Sequence, residues 1–307
     1  MTSQPLPGAT TSGRAEETTP SRARAGTAVP RFFRSRRAAG GLFVLLLIAL
    51  SAVAAPLLAP TGPLEMNPRI RLVPPLQTSA VGSFHLFGTD HVGRDLFSRV
   101  LYGGRISVSV ALTAILLGGS FGVVVGLLAG YYGRGLDAVA MRLADLQLAI
   151  PTILLAIAIV AVVGRDLVVL SVILAISTWI IFARTVRGTT LALRESAFVE
   201  AARAAGAGDG RIIVRHILRN TWTPIIVLAS QQVALMIILE SSLSFIGAGA
   251  PATSPSWGSI VADGRDYVLS GNWWLTTFPG LAIAVSVLAI NFFGDGLRDV
   301  LDPRLRI

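Results

Sequence analysis

Glu240 stands well inside the apolar run Thr223 to Gly247, accompanied by Gln231, Gln232, Ser241, Ser242 and Ser244. A bare carboxylate at that depth in hydrocarbon costs about 3 kcal/mol on insertion scales, so it must be neutralised, paired or turned toward a watery path. Two roles follow. It is part of a translocation lining or gate, or it is an interhelical hydrogen-bond partner, and the second weighs slightly more. A second carboxylate, Glu200, begins a small-residue stretch Glu200-Ala201-Ala202 that ends at Gly206. A third group, His85 and His91 six residues apart with Asp90 and Asp95 between and after them, has the residue types of a metal site.

Catalytic chemistry finds little else to use. There is no GxxxxGK[ST] phosphate loop, no GxSxG elbow and no HExxH helix. With no cysteine, a disulfide framework, thiolate catalysis and Cys-ligated zinc or iron–sulfur sites are excluded. A membrane-embedded hydrolase working through Glu240 or Asp145 would need converging acid, base and metal groups that the sequence does not assemble. The expectation is a non-enzyme that binds no cofactor or metal of its own.

The elements that must position these residues are membrane helices. Of 307 residues, 53% are hydrophobic and only 14% charged, against about a quarter charged in soluble domains, and the mean hydropathy is +0.68. A spanning helix takes about 20 mostly apolar residues, because hydrocarbon leaves backbone groups only intrahelical partners. Six stretches qualify: Leu42 to Leu58, Ile106 to Tyr131, Leu143 to Val163, Leu167 to Phe182, Thr223 to Gly247 and Leu275 to Phe293. The fold class is therefore all-α, a polytopic membrane protein with six transmembrane helices.

The 26 basic residues are all arginine. With both termini cytoplasmic, seven of the 26 face outward: Arg69, Arg71, Arg94, Arg99, Arg105, Arg165 and Arg265. Five of these share one long loop, where the positive-inside rule weakens. Because the arginines flank apolar spans and form no continuous basic face with aromatics between, nucleic acid is not an expected partner.

Three regions follow. Residues 1–38 read as a disordered Arg-rich cytoplasmic tail, too poor in large apolar residues to offset ordering entropy. Residues 39–105 hold the first span and an external loop interrupted by Pro60, Pro63, Pro68, Pro74 and Pro75. Residues 106–307 form a core of five spans with a cytoplasmic loop at 183–222. In the second span Gly118, Gly122, Gly126 and Gly130 recur every four residues, a face that another helix can approach closely. Pro151 predicts a kink inside the third span.

The loop between the fourth and fifth spans reads as two short amphipathic helices. Ser196 is placed to cap the first, Phe198, Ala201, Ala202 and Ala205 recur at helical spacing, Gly206 ends it, and Asp209 can cap the second. Such a helix either seats in a groove of a soluble partner or lies in the membrane interface; composition leaves the two about even.

The residues themselves shift that balance. Glu200, Ala201, Ala202 and Gly206 match the cytoplasmic-loop pattern of the inner-membrane permease subunits of bacterial ATP-binding-cassette importers, which the chain resembles over roughly residues 31 to 307. The stretch from His85 to Gly103, together with Leu243 to Gly247, Pro255 to Gly258, Asp263 to Arg265 and Gly294 to Arg304, is similar to the dipeptide, oligopeptide and nickel branch. One departure is Arg219 before Asn220, where these permeases usually have Pro.

The resemblance implies a subunit of the bacterial cytoplasmic membrane that pairs with a second permease, two ATPase subunits and an external solute-binding protein. ATP and Mg are used by the partners, and the loop docks on the ATPase with Glu200 as the residue read there. Peptide is the expected cargo; nickel or a metal chelate is the alternative, and a proton-coupled secondary transporter titrating Glu240 is a rival of a different class. His85 and Asp90 belong to a pattern shared irrespective of cargo, so no metal is assigned to them.

Overall fold

The computed structural model describes residues 35–301 and is almost entirely helical. Ser35 accepts a hydrogen bond from the Ala38 amide and starts α1 (Arg36–Val53), which a single turn, α2 (Ala55–Leu58), follows. A two-stranded antiparallel hairpin, β1 (Gln77–Thr78) and β2 (Phe84–His85), decorates the next segment. Asp95 caps α3 (Leu96–Tyr132), which ends at Gly133 with φ 63°. Then come α4 (Arg134–Leu148), α5 (Thr152–Val163), α6 (Leu167–Arg194), α7 (Ala197–Ala204), α8 (Asp209–Ile246), α9 (Trp257–Gly264) and α10 (Trp274–Leu301).

Five helices (α1, α3, α6, α8 and α10) are long and apolar enough to cross a membrane by themselves. The expected third span is not one helix. Pro151 has no amide hydrogen to continue the ladder, and α4 and α5 meet there at 83°. The 12 residues of α5 reach about 18 Å at 1.5 Å per residue, short of the roughly 30 Å of hydrocarbon. Counting six crossings therefore requires the bent pair to act as one.

α3 and α6 make the most extensive helix contact. A Cβ added at Gly118 would lie 2.3 Å from the Ala175 carbonyl oxygen, at Gly122 2.2 Å from that of Trp179, and at Gly126 2.6 Å from that of Ala183; at Gly130 it would lie 2.7 Å from Thr190 Cβ. The four glycines bring backbone against backbone, as small-residue ridges do. The same register makes α3 and α6 parallel. Residues 133–166 must then carry the chain back from one end of the bundle to the other, and α4 and α5 are the helices in that stretch.

The ends sort cleanly. At one lie Gly41 against Ala289 and Phe293, Tyr131 bonded to Asp209, and Arg187 paired with Asp137. At the other lie Arg99 paired with Asp263, Trp274 bonded to the Thr89 carbonyl, and Arg165 beside Gly247. The Pro-interrupted segment expected as a loop is folded against the helices: His85, Thr89, Asp90 and Asp95 are all buried. Of the tail expected over 1–38, residues 1–34 lie outside the described residues, as do 302–307, while Arg36, Arg37 and Ala38 already belong to α1.

Candidate functional site

At the end of the bundle where α6 leaves and α8 enters, α7 stands as a separate short helix. Val199 is fully buried and joins the cluster containing Ile212, Ile213 and Ile217, so one face is fixed to the start of α8. The other face carries Glu200, Ala201 and Ala205, all exposed, with Phe198 42% exposed beside them. Ala202 is half-buried.

Gly206 has φ +81°, its amide donates to the Arg203 carbonyl and that of Ala207 to Ala202, each at 3.0 Å. This is the double hydrogen bond of a Schellman ending, which needs a left-handed residue where Gly costs least. Two capping expectations are corrected. Ser196 Oγ donates back to the Leu193 carbonyl instead of accepting from the helix. Asp209 lies inside its helix, where its carboxylate accepts from Tyr131 Oη at 2.6 Å. Nor is there a second short helix: from Asp209 the chain winds through a π-helical stretch, Ile212–Leu218, into α8 without a break at Arg219 and Asn220.

Glu240 is fully buried and lies near the opposite end of α8. Ser107 Oγ of α3 donates to its Oε2 at 2.8 Å and Ser244 Oγ to its Oε1 at 2.7 Å. The direction of those bonds follows from the next layer out. The Trp257 amide donates to Ser107 Oγ at 3.2 Å, and the Ala250 amide and Ser256 Oγ each donate to Ser244 Oγ at 3.1 Å. With their lone pairs so engaged, both hydroxyls turn their protons to the carboxylate. Ser256 is also the N-cap of α9, in a capping box with Ser259. Glu240 therefore joins α8, α3 and α9 through hydroxyls.

A second polar knot holds the segment between α2 and α3. Asp90 Oδ2 accepts from Arg94 Nε at 2.6 Å and Arg99 Nη1 at 2.8 Å, and Asp263 Oδ2 accepts from Arg99 Nη2 at 2.8 Å and Arg94 Nη2 at 3.1 Å. Burial pushes the Asp90 carboxyl up, but the Arg99 and Arg94 guanidinium groups and the Arg94 amide outweigh it and hold the group below its ordinary value. The His85 ring lies between Asp95 Oδ1 (2.9 Å from Nδ1) and Ser83 Oγ (2.9 Å from Nε2), while His91 stacks on Tyr267. Both His85 nitrogens thus have protein partners. Among the described residues no three His, Asp or Glu side chains are grouped to hold a metal ion.

Sequence reasoning passed over Ser107 and Ser256, whose roles depend on helices distant in the chain, and Gln147. Gln147 bridges the broken span to α6, donating to the Ile176 carbonyl at 2.5 Å and accepting from Trp179 Nε1 at 2.8 Å. A glutamine four residues before Pro151 was the available signal.

Residues 122–307 match the family described as "Binding-protein-dependent transport system inner membrane component", and residues 25–75 match the "N-terminal TM domain of oligopeptide transport permease C". A Brucella suis protein, provisionally named as a peptide transport system permease, is 47% identical over 279 residues, 90% of this chain and 91% of that one. The glutathione transport system permease protein GsiD of Pectobacterium atrosepticum is 43% identical over 90% of each chain. The dipeptide transport system permease protein DppC of Alkalihalophilus pseudofirmus is 42% identical over 89% of this chain and 88% of its own.

Among solved structures, a chain of the MetNI methionine ABC transporter, captured facing inward, superposes with a TM-score of 0.53 at 20% identity. It covers 67% of this chain and 96% of that one, a likeness of fold. On the family match and on these relatives, the chain belongs to the inner-membrane permease components of binding-protein-dependent transport systems, in the branch that carries the oligopeptide permease C amino-terminal domain.

Proposed function

We propose that this chain is one of two permease subunits in an ATP-driven peptide importer of a bacterial cytoplasmic membrane, and that α7 is the lever through which partner ATPases drive it. The observation that carries the reading is α7 itself. It is a short helix fixed by Val199 between two spans, with Glu200 and Ala201 presented outward and a Schellman turn at Gly206 holding its end. An exposed small-residue face of this kind is suited to a groove in a soluble protein. ATP hydrolysis, with its Mg, falls to those partners, and an external binding protein supplies the solute. The relatives' names, dipeptide and glutathione among them, favour peptide over nickel as cargo.

In this reading the end bearing α7 is cytoplasmic and the end bearing Asp90, Arg99 and Asp263 is external. Both termini are then cytoplasmic, and there are six crossings with α4 and α5 sharing one. Closure of the ATPases moves α7, and because Val199 is seated among Ile212 and Ile217, the motion is passed to α8 as a rigid body. Glu240 acts as a clasp between α8, α3 and α9, and its gating role is to hold the external segment to the helix that α7 moves.

The test is Glu200→Arg in the intact assembly. Walker-type ATPase subunits are expected to co-purify with the native chain and to be lost, along with ATP-dependent peptide uptake, in the variant. A variant that keeps its ATPases and its uptake would overturn the docking role.

A further inference from the structure

α3 presents a face that its packing does not explain. Arg105, Ser109, Thr113 and Ser120 recur at intervals of four, four and seven residues, and all four are exposed. They lie on one side of a helix whose glycine ridge is turned to α6. Leu112, Leu116 and Leu117 are exposed beside them and Ser109 Oγ donates to the Ile106 carbonyl at 3.0 Å, so Arg105 is the member that lipid solvates least well. The contrast is α5, equally uncovered, where every residue from Ile153 to Val163 is apolar.

Arg105 sits at the external end of this stripe, one residue before the apolar run from Ile106 to Tyr131. Its guanidinium carbon lies 5.9 Å from the centre of the Tyr102 ring, and no carboxylate among the described residues is within ion-pairing distance of it. Arg105, Tyr102 and Ser109 form one wall of a cavity of about 360 Å³, and Thr253, Ser254 and Pro255 of the segment after α8 form the other. That volume is in the range of small-molecule sites.

An arginine backed by an aromatic ring and fronting a cavity with hydroxyls on both sides is a receptor for an oxyanion, which its planar fork can take by two parallel bonds. Resting on the peptide-importer reading, we propose that Arg105 receives the carboxylate of the arriving peptide at the external mouth of the path, and that Ser109, Thr113 and Ser120 line the path beyond it. A lipid phosphate has the same chemistry at the membrane edge. The hydroxyls favour the peptide: a headgroup needs only Arg105, whereas the stripe continues down the span.

The experiment uses the complete importer in phosphatidylcholine nanodiscs, without the binding protein, and measures calorimetric binding of tri-alanine and of its C-terminal amide. The native importer is expected to bind the acid about tenfold tighter than the amide, the worth of one charge-assisted hydrogen bond. In Arg105→Gln that preference should vanish, and in Arg105→Lys it should return in part. Equal binding of acid and amide by the native importer overturns the proposal, as does a preference that survives Arg105→Gln. If phosphatidylglycerol in the nanodisc abolishes the preference, lipid phosphate is the ligand of Arg105 and the proposal again fails. Uptake of tri-alanine by the same native importer in vesicles, with ATP and the binding protein present, is the separate check on the peptide reading. No uptake there refutes that reading, and this inference with it; uptake with no role for Arg105 refutes this inference alone.

Discussion

At the level of single residues, Glu240 illustrates how a buried carboxylate is made tolerable without a cation. Its two oxygens receive the Ser107 and Ser244 hydroxyls, and those in turn are oriented by the amides of Trp257 and Ala250. Glu240→Ala removes the acceptor and leaves both hydroxyl protons buried and unpaired, at about 1–3 kcal/mol for each such group, with a cavity in addition. Its thermal unfolding midpoint in detergent should fall clearly below that of the native chain. Glu240→Gln keeps one acceptor oxygen and the volume, so its loss should be smaller. A Glu240→Ala chain that unfolds at the native temperature would show that the hydroxyl network does not hold α8 to α3. The presence of Glu240 inside a span was plain from sequence; Ser107, 133 residues earlier, was an ordinary helix serine until the fold set it opposite.

At the level of elements, the glycine ridge of α3 was legible because four-residue spacing puts residues on nearly one helix face whatever they face. What the spacing did not contain was the partner. The Ala175, Trp179 and Ala183 carbonyls of α6 lie where the glycine side chains would be. Gly122→Val is expected to prevent this seating, since a Cβ alone would lie 2.2 Å from a backbone oxygen that has no room to move. Fluorescence-detected gel filtration should show aggregated or absent protein. Gly188→Ala is the matched control: nothing lies within 4 Å of a Cβ added there, and an alanine inside α6 should raise the unfolding midpoint, in line with a gain of up to about 1 kcal/mol. Normal behaviour of Gly122→Val would mean that α3 and α6 are not in contact as described. The π-helical entry to α8 belongs to the same scale, and nothing in Ile212 to Leu218 announced it.

At the level of the whole molecule, the bent pair α4 and α5 decides the topology. Parallel α3 and α6 need the chain to return between them, and the pair carries it although α5 alone is too short to span. Because the chain has no cysteine, single cysteines report sidedness directly. Val81→Cys and Arg165→Cys are expected to react with an impermeant maleimide added to intact cells, and Ala204→Cys only after the membrane is opened. Protection of Arg165→Cys alongside labelling of Val81→Cys would put the start of α6 on the opposite side of the membrane from Val81 and overturn the parallel packing of α3 and α6.

What the sequence determined by itself is whatever depends on local composition and spacing: that the chain lives in a bilayer, where most spans lie, which helix face of α3 is small, and that α7 ends at Gly206. These are consequences of hydropathy and of backbone preference, which act over a few turns. The tertiary structure alone decided the pairings between distant segments. It turned the Pro151 kink into an 83° break, folded the segment between α2 and α3 around Asp90 and Arg99, and brought Ser107 and Ser256 to Glu240 and its hydroxyls. The physical reason is the same in each case: a buried polar or charged group is satisfied by whichever partner the fold delivers, and that partner is chosen by the packing of helices far apart in the chain.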